Sequence, residues 1–375
     1  MRRFSLTKPT ARLPFAFWLS IITLFVASPL QADSLPLPES NKVLTRITMG
    51  SCAYQWAPQP VFRAIADSKP DLYLSLGDAI YADYDPKKKA PYEVTEETLR
   101  REWQLLADSA DWQYLTSRVP VMATWDNHDY GHYQAGEEFP LKNISKEIFL
   151  DFFGEPEDSA RRQRPGIYDA KVFGPEGQRV QVILLDTRSF KTPPELAQRP
   201  EGADGSLGKF APNTDPEASL LGAAQWQWLE QQLRKPAEVR LLASSTQVIA
   251  DQKGMDEWGA YPLERQKLFE LIENTGASNL LLLSGNVHFT EMVKIQFGNL
   301  ELVELTSSGL THTKTEYAEA ANNYRISGPY DGINFGMIEI NWNASPSPLV
   351  KLAAMNEQGR KVFEHVVQLS TADRK

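Results

Sequence analysis

Asp126, Asn127, His128 and Asp129 follow almost directly on the apolar run VPVMAT, with His132 three residues further on. Four other apolar runs end on comparable groups: TMGSC at Cys52, LYLSLGD at Asp78, ILLDTR at Asp186 and Arg188, and LLLSGNVH at Asn286 and His288. Burying polar groups without partners costs kilocalories each, so a shared partner is expected. Thiolate, carboxylate, imidazole and amide oxygen together make a mixed donor set for one or two metal ions. A carboxylate such as Asp78 can bridge two ions about 3.5–4 Å apart, and a water between them loses a proton near neutral pH. The resulting hydroxide attacks phosphorus in line, and a nearby imidazole protonates the leaving oxygen. His128, adjacent to Asn127 but not required as a ligand, suits that second role.

The elements that must position these groups are short. VLTRITMGSC, DLYLSLGD, VPVMATWD, RVQVILLDTR, VRLLASSTQV, NLLLLSGNVH and LELVELTSS include continuously apolar stretches, as expected of strands buried on both faces. Helical periodicity falls between several of them, at 60–68, 95–107, 143–153, 223–234 and 262–275. Interleaved strands and helices predict an α/β core with helices covering the sheets. In open α/β sheets, ligands bind outside the carboxyl ends of the strands, where these five polar clusters fall. The Gly- and Pro-rich segment 192–219 predicts a long surface loop near the site. Beyond residue 332, three alternating apolar segments predict a terminal β-meander completing one sheet.

The chain has 375 residues, 42% of them apolar and 23% charged, which fits an ordinary globular protein and excludes disorder or a collagen-like repeat. Residues 1–32 read as a signal peptide: Arg2, Arg3, Lys8 and Arg12 precede LPFAFWLSIITLFVASPL, and Ala32 offers a small residue for cleavage. The expected organisation is then a short linker at 33–42 and one catalytic domain at 43–370. Export to the periplasm or the extracellular space follows, with no stable membrane insertion once the signal is removed. The whole chain carries a formal charge of −9, and the 1–32 segment is purely basic, so the remainder is more acidic still. That argues against nucleic acid as a partner and favours a small phosphate ester met by local positive charge. Cys52 is the single cysteine, so no internal disulfide is expected.

The ordered set GSC, GDAIYAD, TWDNHD and SGNVHF resembles the alkaline phosphatase D (PhoD-like) family of calcineurin-like metallophosphatases. LLDTRSF, AAQWQWLEQQL and MDEWGAYPLERQKLF are also similar to it, so the likeness runs from Met49 to about Thr306. The resemblance implies a four-layer αββα metallophosphoesterase sandwich holding two divalent or trivalent ions, iron with calcium. It implies Cys52 as the iron thiolate, Asp78 as the bridging carboxylate, Asn127 and His288 as further ligands, and His128 as the phosphate-facing acid. Asp126 is a further candidate ligand in the same motif. Asn286 departs from the family pattern, which has Asp there, and removes one negative ligand charge. The tyrosine ligand described between the second and third motifs has no assigned counterpart, although Tyr81, Tyr84 and Tyr92 lie upstream.

Each residue also has a plainer reading. Cys52 could be a buried core thiol, and Asp78 a turn former after Gly77. Asp129 could support the histidine from behind. Arg188 could grip a phosphate oxygen in bidentate fashion or pair with an acid. Asp83 and Asp85 read as loop acids, His132 and His312 as loop histidines with a possible site role, and His365 as structural. Trp258, Tyr261 and Arg265 could serve the site or pack a helix start. The expected activity is hydrolysis of phosphate mono- or diesters. Its rivals are a phospholipase D-like diesterase and a non-catalytic metal- or phosphate-binding protein. The first lacks an amphipathic basic helix for docking on lipid; the second is kept open by Asn286.

Overall fold

The computed structural model describes Met1 and residues 34–88, 90–91, 93–199 and 205–369. Apart from Met1, the expected signal peptide lies outside the described residues. Strands form at β1 (Arg46–Gly50), β2 (Leu72–Leu76), β3 (Tyr84–Asp85), β4 (Ala90–Pro91), β5 (Val121–Thr124), β6 (Asp169–Phe173), β7 (Val180–Leu184), β8 (Val239–Ala243), β9 (Leu280–Ser284), β10 (Thr290–Phe297), β11 (Leu300–Ser307), β12 (Arg325–Tyr330), β13 (Asn334–Asn341), β14 (Leu349–Asn356) and β15 (Lys361–Gln368).

They build two mixed sheets, ordered β15-β14-β13-β1-β2-β5 and β12-β10-β11-β9-β8-β7-β6, with β3 and β4 forming a separate small ribbon. The centre of each sheet is parallel: β1 with β2 and β2 with β5 in the first, and β7, β8, β9 and β11 in succession in the second. The expected carboxy-terminal meander is present, as β13, β14 and β15 pair antiparallel and β13 joins the meander to β1.

The continuously apolar strands are explained by what lies on each face. Met49, Leu72, Leu74 and Leu76 of the first sheet meet Val182, Leu241, Leu283 and Leu305 of the second in one buried layer. The outer face of the first sheet is covered by a core containing Phe62, Leu99, Trp103, Trp112 and Phe149. Leu229, Leu233, Leu268 and Ile272 cover the outer face of the second. These side chains come from helices at 61–67, 96–107, 110–116, 142–152, 222–233 and 262–274. The layer order is therefore helix, sheet, sheet, helix, as expected.

The helix Glu96–Ala107 illustrates how the sequence dictates an element. Thr95 caps it reciprocally with Thr98, and Glu96 and Glu97 place negative charge at its amino end. Leu99, Glu102, Trp103 and Leu106 then fall on one buried stripe. Within that stripe Glu102 accepts a 2.7 Å bond from Gln55 Nε2, tying the helix to the loop after β1.

Candidate metal centre and active site

All the site groups sit just past the carboxyl ends of central strands. Cys52 follows β1, Asp78 follows β2, Asn127 and His128 follow β5, and Asn286 and His288 follow β9. The turns are forced. Cys52, Asp78, Asn286 and His288 have φ of 63°, 52°, 70° and 58°, a left-handed conformation that ordinary residues rarely adopt. Strain of this kind persists where surrounding structure over-determines it, and it concentrates at functional sites. Gly77, with φ of 98°, admits the turn into Asp78; a Cβ there would lie 2.6 Å from the Asp126 backbone nitrogen. Gly285 lets β9 approach β1, since a Cβ would lie 2.3 Å from Ser51 Oγ.

Ligand atoms of Cys52, Asp78 and His288 all lie within 4.8 Å of one another. Cys52 Sγ is 3.5 Å from Asp78 Oδ2 and accepts a 3.0 Å bond from Ser308 Oγ. His288 Nδ1 and Asn127 Nδ2 are buried with no hydrogen-bond partner. Because an amide's oxygen and nitrogen exchange by a flip, the Asn127 orphan suits an oxygen facing a cation. Burial, and then the neighbouring Asp78, pushes the Cys52 thiol well up. Burial likewise raises Asp78 to about 7, with Asp126 adding to it against the pull of His128 and Arg188. Burial holds His288 down at about 3, keeping it the neutral imidazole that binds metals. Cys52 and Asp78 are crowded buried acids held up in this way, and a bound cation would invert their pKa logic. The donor set and the orphaned nitrogens fit a metal centre.

His128 stands beside this cluster. Its Nδ1 is 2.5 Å from Asp83 Oδ1, and its ring stacks on Tyr81 with centroids 4.2 Å apart. Burial would lower its pKa, but Asp83 and Asp78 overcome that and raise it to about 9. Asp83, expected as a loop acid, is instead the side-chain partner of His128. Its other oxygen accepts the Tyr133 backbone N–H at 2.8 Å, so the carboxylate is fixed from two sides.

Two expectations are corrected. Asp129 does not touch His128. Its carboxylate accepts the backbone N–H groups of Asp78, Ala79, Ile80 and Asp126 at 2.5–3.0 Å, and so shapes the turn that carries Asp78. Arg188, fully buried, has its guanidinium committed to Asp126 and Asp256, with Nη1 2.7 Å from Asp256 Oδ2. It pairs with acids and is not presented to a phosphate. Asp126 has a divided carboxylate: its Oδ1 accepts from Arg188 Nε at 2.6 Å and Ser245 Oγ at 2.9 Å, while Oδ2 is buried with no partner.

Asn286 lines the cleft, and its Nδ2 donates to the Asp256 carbonyl at 2.9 Å. His312 backs two residues of the cleft wall, stacked on Tyr54 with its Nε2 3.1 Å from Tyr81 Oη. His132 is exposed and bonds the Tyr133 carbonyl, Asp85 ends the short strand β3 and accepts from the Lys87 and Lys88 N–H groups, and His365 lies on β15. Trp258, Tyr261 and Arg265 pack and bond to Ser244, Thr192 and Val248. The long loop reaches the cleft through Ser206, as expected.

A four-layer α/β sandwich that gathers these donors beyond its central strand ends is the architecture of a metallophosphoesterase-type protein. The sequence profile described as PhoD-like phosphatase matches residues 47–142 and 158–359, and the chain belongs to that family. Alkaline phosphatase D of Bacillus subtilis (strain 168) is 24% identical over 288 residues, 69% of this chain and 48% of that protein. The chain thus spans about half the length of that curated relative. A solved structure described as that of PhoD superposes with a TM-score of 0.66 at 18% identity, covering 91% of this chain and 74% of that one. GAP50, described as the anchor in the inner membrane complex of Plasmodium, gives 0.53 at 11% identity, covering 88% and 91%. At those identities the likeness shows a shared fold.

Proposed function

We propose that this protein is an exported, metal-dependent phosphoesterase that hydrolyses small phosphate mono- or diesters. The observation that carries the reading is the convergence of Cys52, Asp78 and His288 within 4.8 Å beside an imidazole held by Asp83. Cys52, Asp78, Asn127, Asn286 and His288 would hold two ions. The soft thiolate suits iron and the oxygen donors suit calcium. When bound, such ions polarise the phosphoryl oxygens and lower the pKa of water at the site.

The chain's own contribution is positional. Ser308 and Ser51 lie against Cys52 Sγ and favour its ionised form. Asp129 fixes the Asp78 backbone. Asp83 occupies Nδ1 of His128 and favours the protonated ring, leaving Nε2 to deliver a proton to the departing oxygen. Export follows from the basic-then-apolar segment 1–32, and residues 43–370 form the catalytic domain. No helix among the described residues is long and apolar enough to cross a membrane.

The test is elemental analysis of purified protein together with mono- and diesterase assays with and without chelator. One to two metals per chain and chelator-sensitive turnover are expected, and Asp78→Ala should abolish both. Well-folded, metal-free protein from a metal-replete preparation would overturn the reading. Full metal occupancy without turnover on a broad ester panel would leave only a binding protein.

A further inference from the structure

The cleft that opens onto His128 and His288 holds about 210 Å³ and is walled by Tyr54, Tyr81, Tyr84, Tyr133 and Tyr317. Met255 is the one aliphatic side chain among the lining residues. Such a wall offers ring faces and hydroxyl tips, not the aliphatic surface that an acyl chain would need. The volume lies below the roughly 300–1,000 Å³ of pockets for drug-sized ligands, leaving room for a phosphoryl group and about one ring.

Two of the five rings already have close partners. Tyr54 stacks on His312 with centroids 3.6 Å apart and planes 6° apart, and Tyr81 stacks on His128 at 4.2 Å. Tyr84 differs. It is nearly parallel to Tyr54 (11°) and Trp56 (23°), with centroids 6.5 and 6.0 Å from theirs, toward the outer end of the range for offset stacking. Tyr133 is held firmly: its hydroxyl lies 2.8 Å from Ser206 Oγ, its backbone N–H bonds Asp83, and Lys209 Nζ lies 4.3 Å from its ring centroid. Its plane lies within 23° of His128 at a centroid distance of 6.4 Å. Tyr84 and Tyr133 line the same cleft as His128, each meeting its nearly parallel ring neighbours only at this outer distance, with Lys209 over the Tyr133 ring.

Building on the phosphoesterase reading, we propose that this cleft selects esters whose alcohol carries a planar aromatic or heteroaromatic ring, lying against Tyr84 and Tyr133. Ring-on-ring contact rewards planarity because offset-stacked faces touch over their whole area, whereas a puckered ring touches at a few hydrogens. Stacking on aromatic side chains tolerates any planar partner, so this assigns a class of substrate and not one compound.

The test uses the metal-loaded full-length protein and two phosphonates that cannot be hydrolysed at the ester position, benzylphosphonate and cyclohexylmethylphosphonate. Calorimetry should give about tenfold tighter binding of the benzyl compound. Tyr84→Leu and Tyr133→Leu, checked for folding by circular dichroism, should bring the two affinities close to equality. Equal affinities in the unsubstituted protein, binding of neither compound, or a ratio unchanged in both variants would overturn the inference. Turnover of benzyl and cyclohexylmethyl phosphate is scored separately. A retained binding ratio with neither ester hydrolysed supports the ring subsite and overturns the phosphoesterase reading. Equal affinities with both esters hydrolysed does the reverse.

Discussion

Asp83 and His128, 45 residues apart in sequence, meet with Oδ1 2.5 Å from Nδ1, and that contact sets both the orientation and the charge of the imidazole. In metal-free protein, burial opposes the charged ring, but Asp83 and then Asp78 raise its pKa to about 9. A folded value above the unfolded value of about 6.5 means that the interaction stabilises the fold fully below pH 6.5. The contribution is lost as pH rises through 9. Asp83→Asn should bring the His128 titration down by at least one unit, read by NMR on chelator-treated protein, and flatten stability between pH 6.5 and 9. An unchanged titration would show that Asp83 does not govern the ring.

Much of this fold was legible because burial on both faces writes itself as unbroken apolar runs, as in β2, β8 and β9, where every residue is buried. β6 leaves no such run because it is mostly part-exposed, and β12 because Gly328 and Pro329 interrupt it. Strand-end ligands were legible for the same topological reason. Their supporting partners were not. Asp83 reaches His128 across 45 residues and Asp256 reaches Arg188 across 68, and no local spacing encodes either pairing. Asp129 adjoins His128 in sequence, which suggests support of the histidine, but its carboxylate faces the turn after β2.

That turn yields a second prediction. Asp129 Oδ1 accepts from Ala79 and Ile80, and Oδ2 from Asp78 and Asp126. Asp129→Asn keeps one oxygen and turns the other into a donor facing two N–H groups. The Asp78 turn, already at a φ of 52°, should then relax. Metal affinity is expected to drop about 10- to 100-fold, the scale seen when groups behind a ligand are lost. Elemental analysis after dialysis against graded metal concentrations checks it. Wild-type retention would show that the turn holds without the carboxylate.

Arg188 is balanced against two buried carboxylates, Asp126 and Asp256, and Lys191 Nζ lies 2.9 Å from Asp256 Oδ1. Removing the guanidinium in Arg188→Ala leaves buried negative charge without its main partner, which is expected to destabilise the fold by about 3–5 kcal/mol. Denaturant unfolding of the metal-loaded protein reads this directly. A phosphate-gripping arginine would behave differently, raising KM while leaving the unfolding midpoint in place.

Asn286 gives the sharpest separation between a detuned site and one built for an amide. Its Nδ2–H points at the Asp256 carbonyl 2.9 Å away, which leaves Oδ1 as the remaining polar atom of a side chain that lines the cleft. Asp tolerates a φ near 70° about as well as Asn, so the backbone does not favour either residue. The difference lies at the carbonyl. Asn286→Asp sets a carboxylate oxygen against the Asp256 oxygen, exchanging a hydrogen bond for repulsion at a cost of about 1–3 kcal/mol. Added negative charge beside a cation pulls the other way. With the amide already anchored, the expected result is a lower melting temperature for the metal-free variant and no gain in turnover when metal is restored. Unchanged metal-free stability with a rise in both metal content and activity would mean the site had been waiting for a carboxylate.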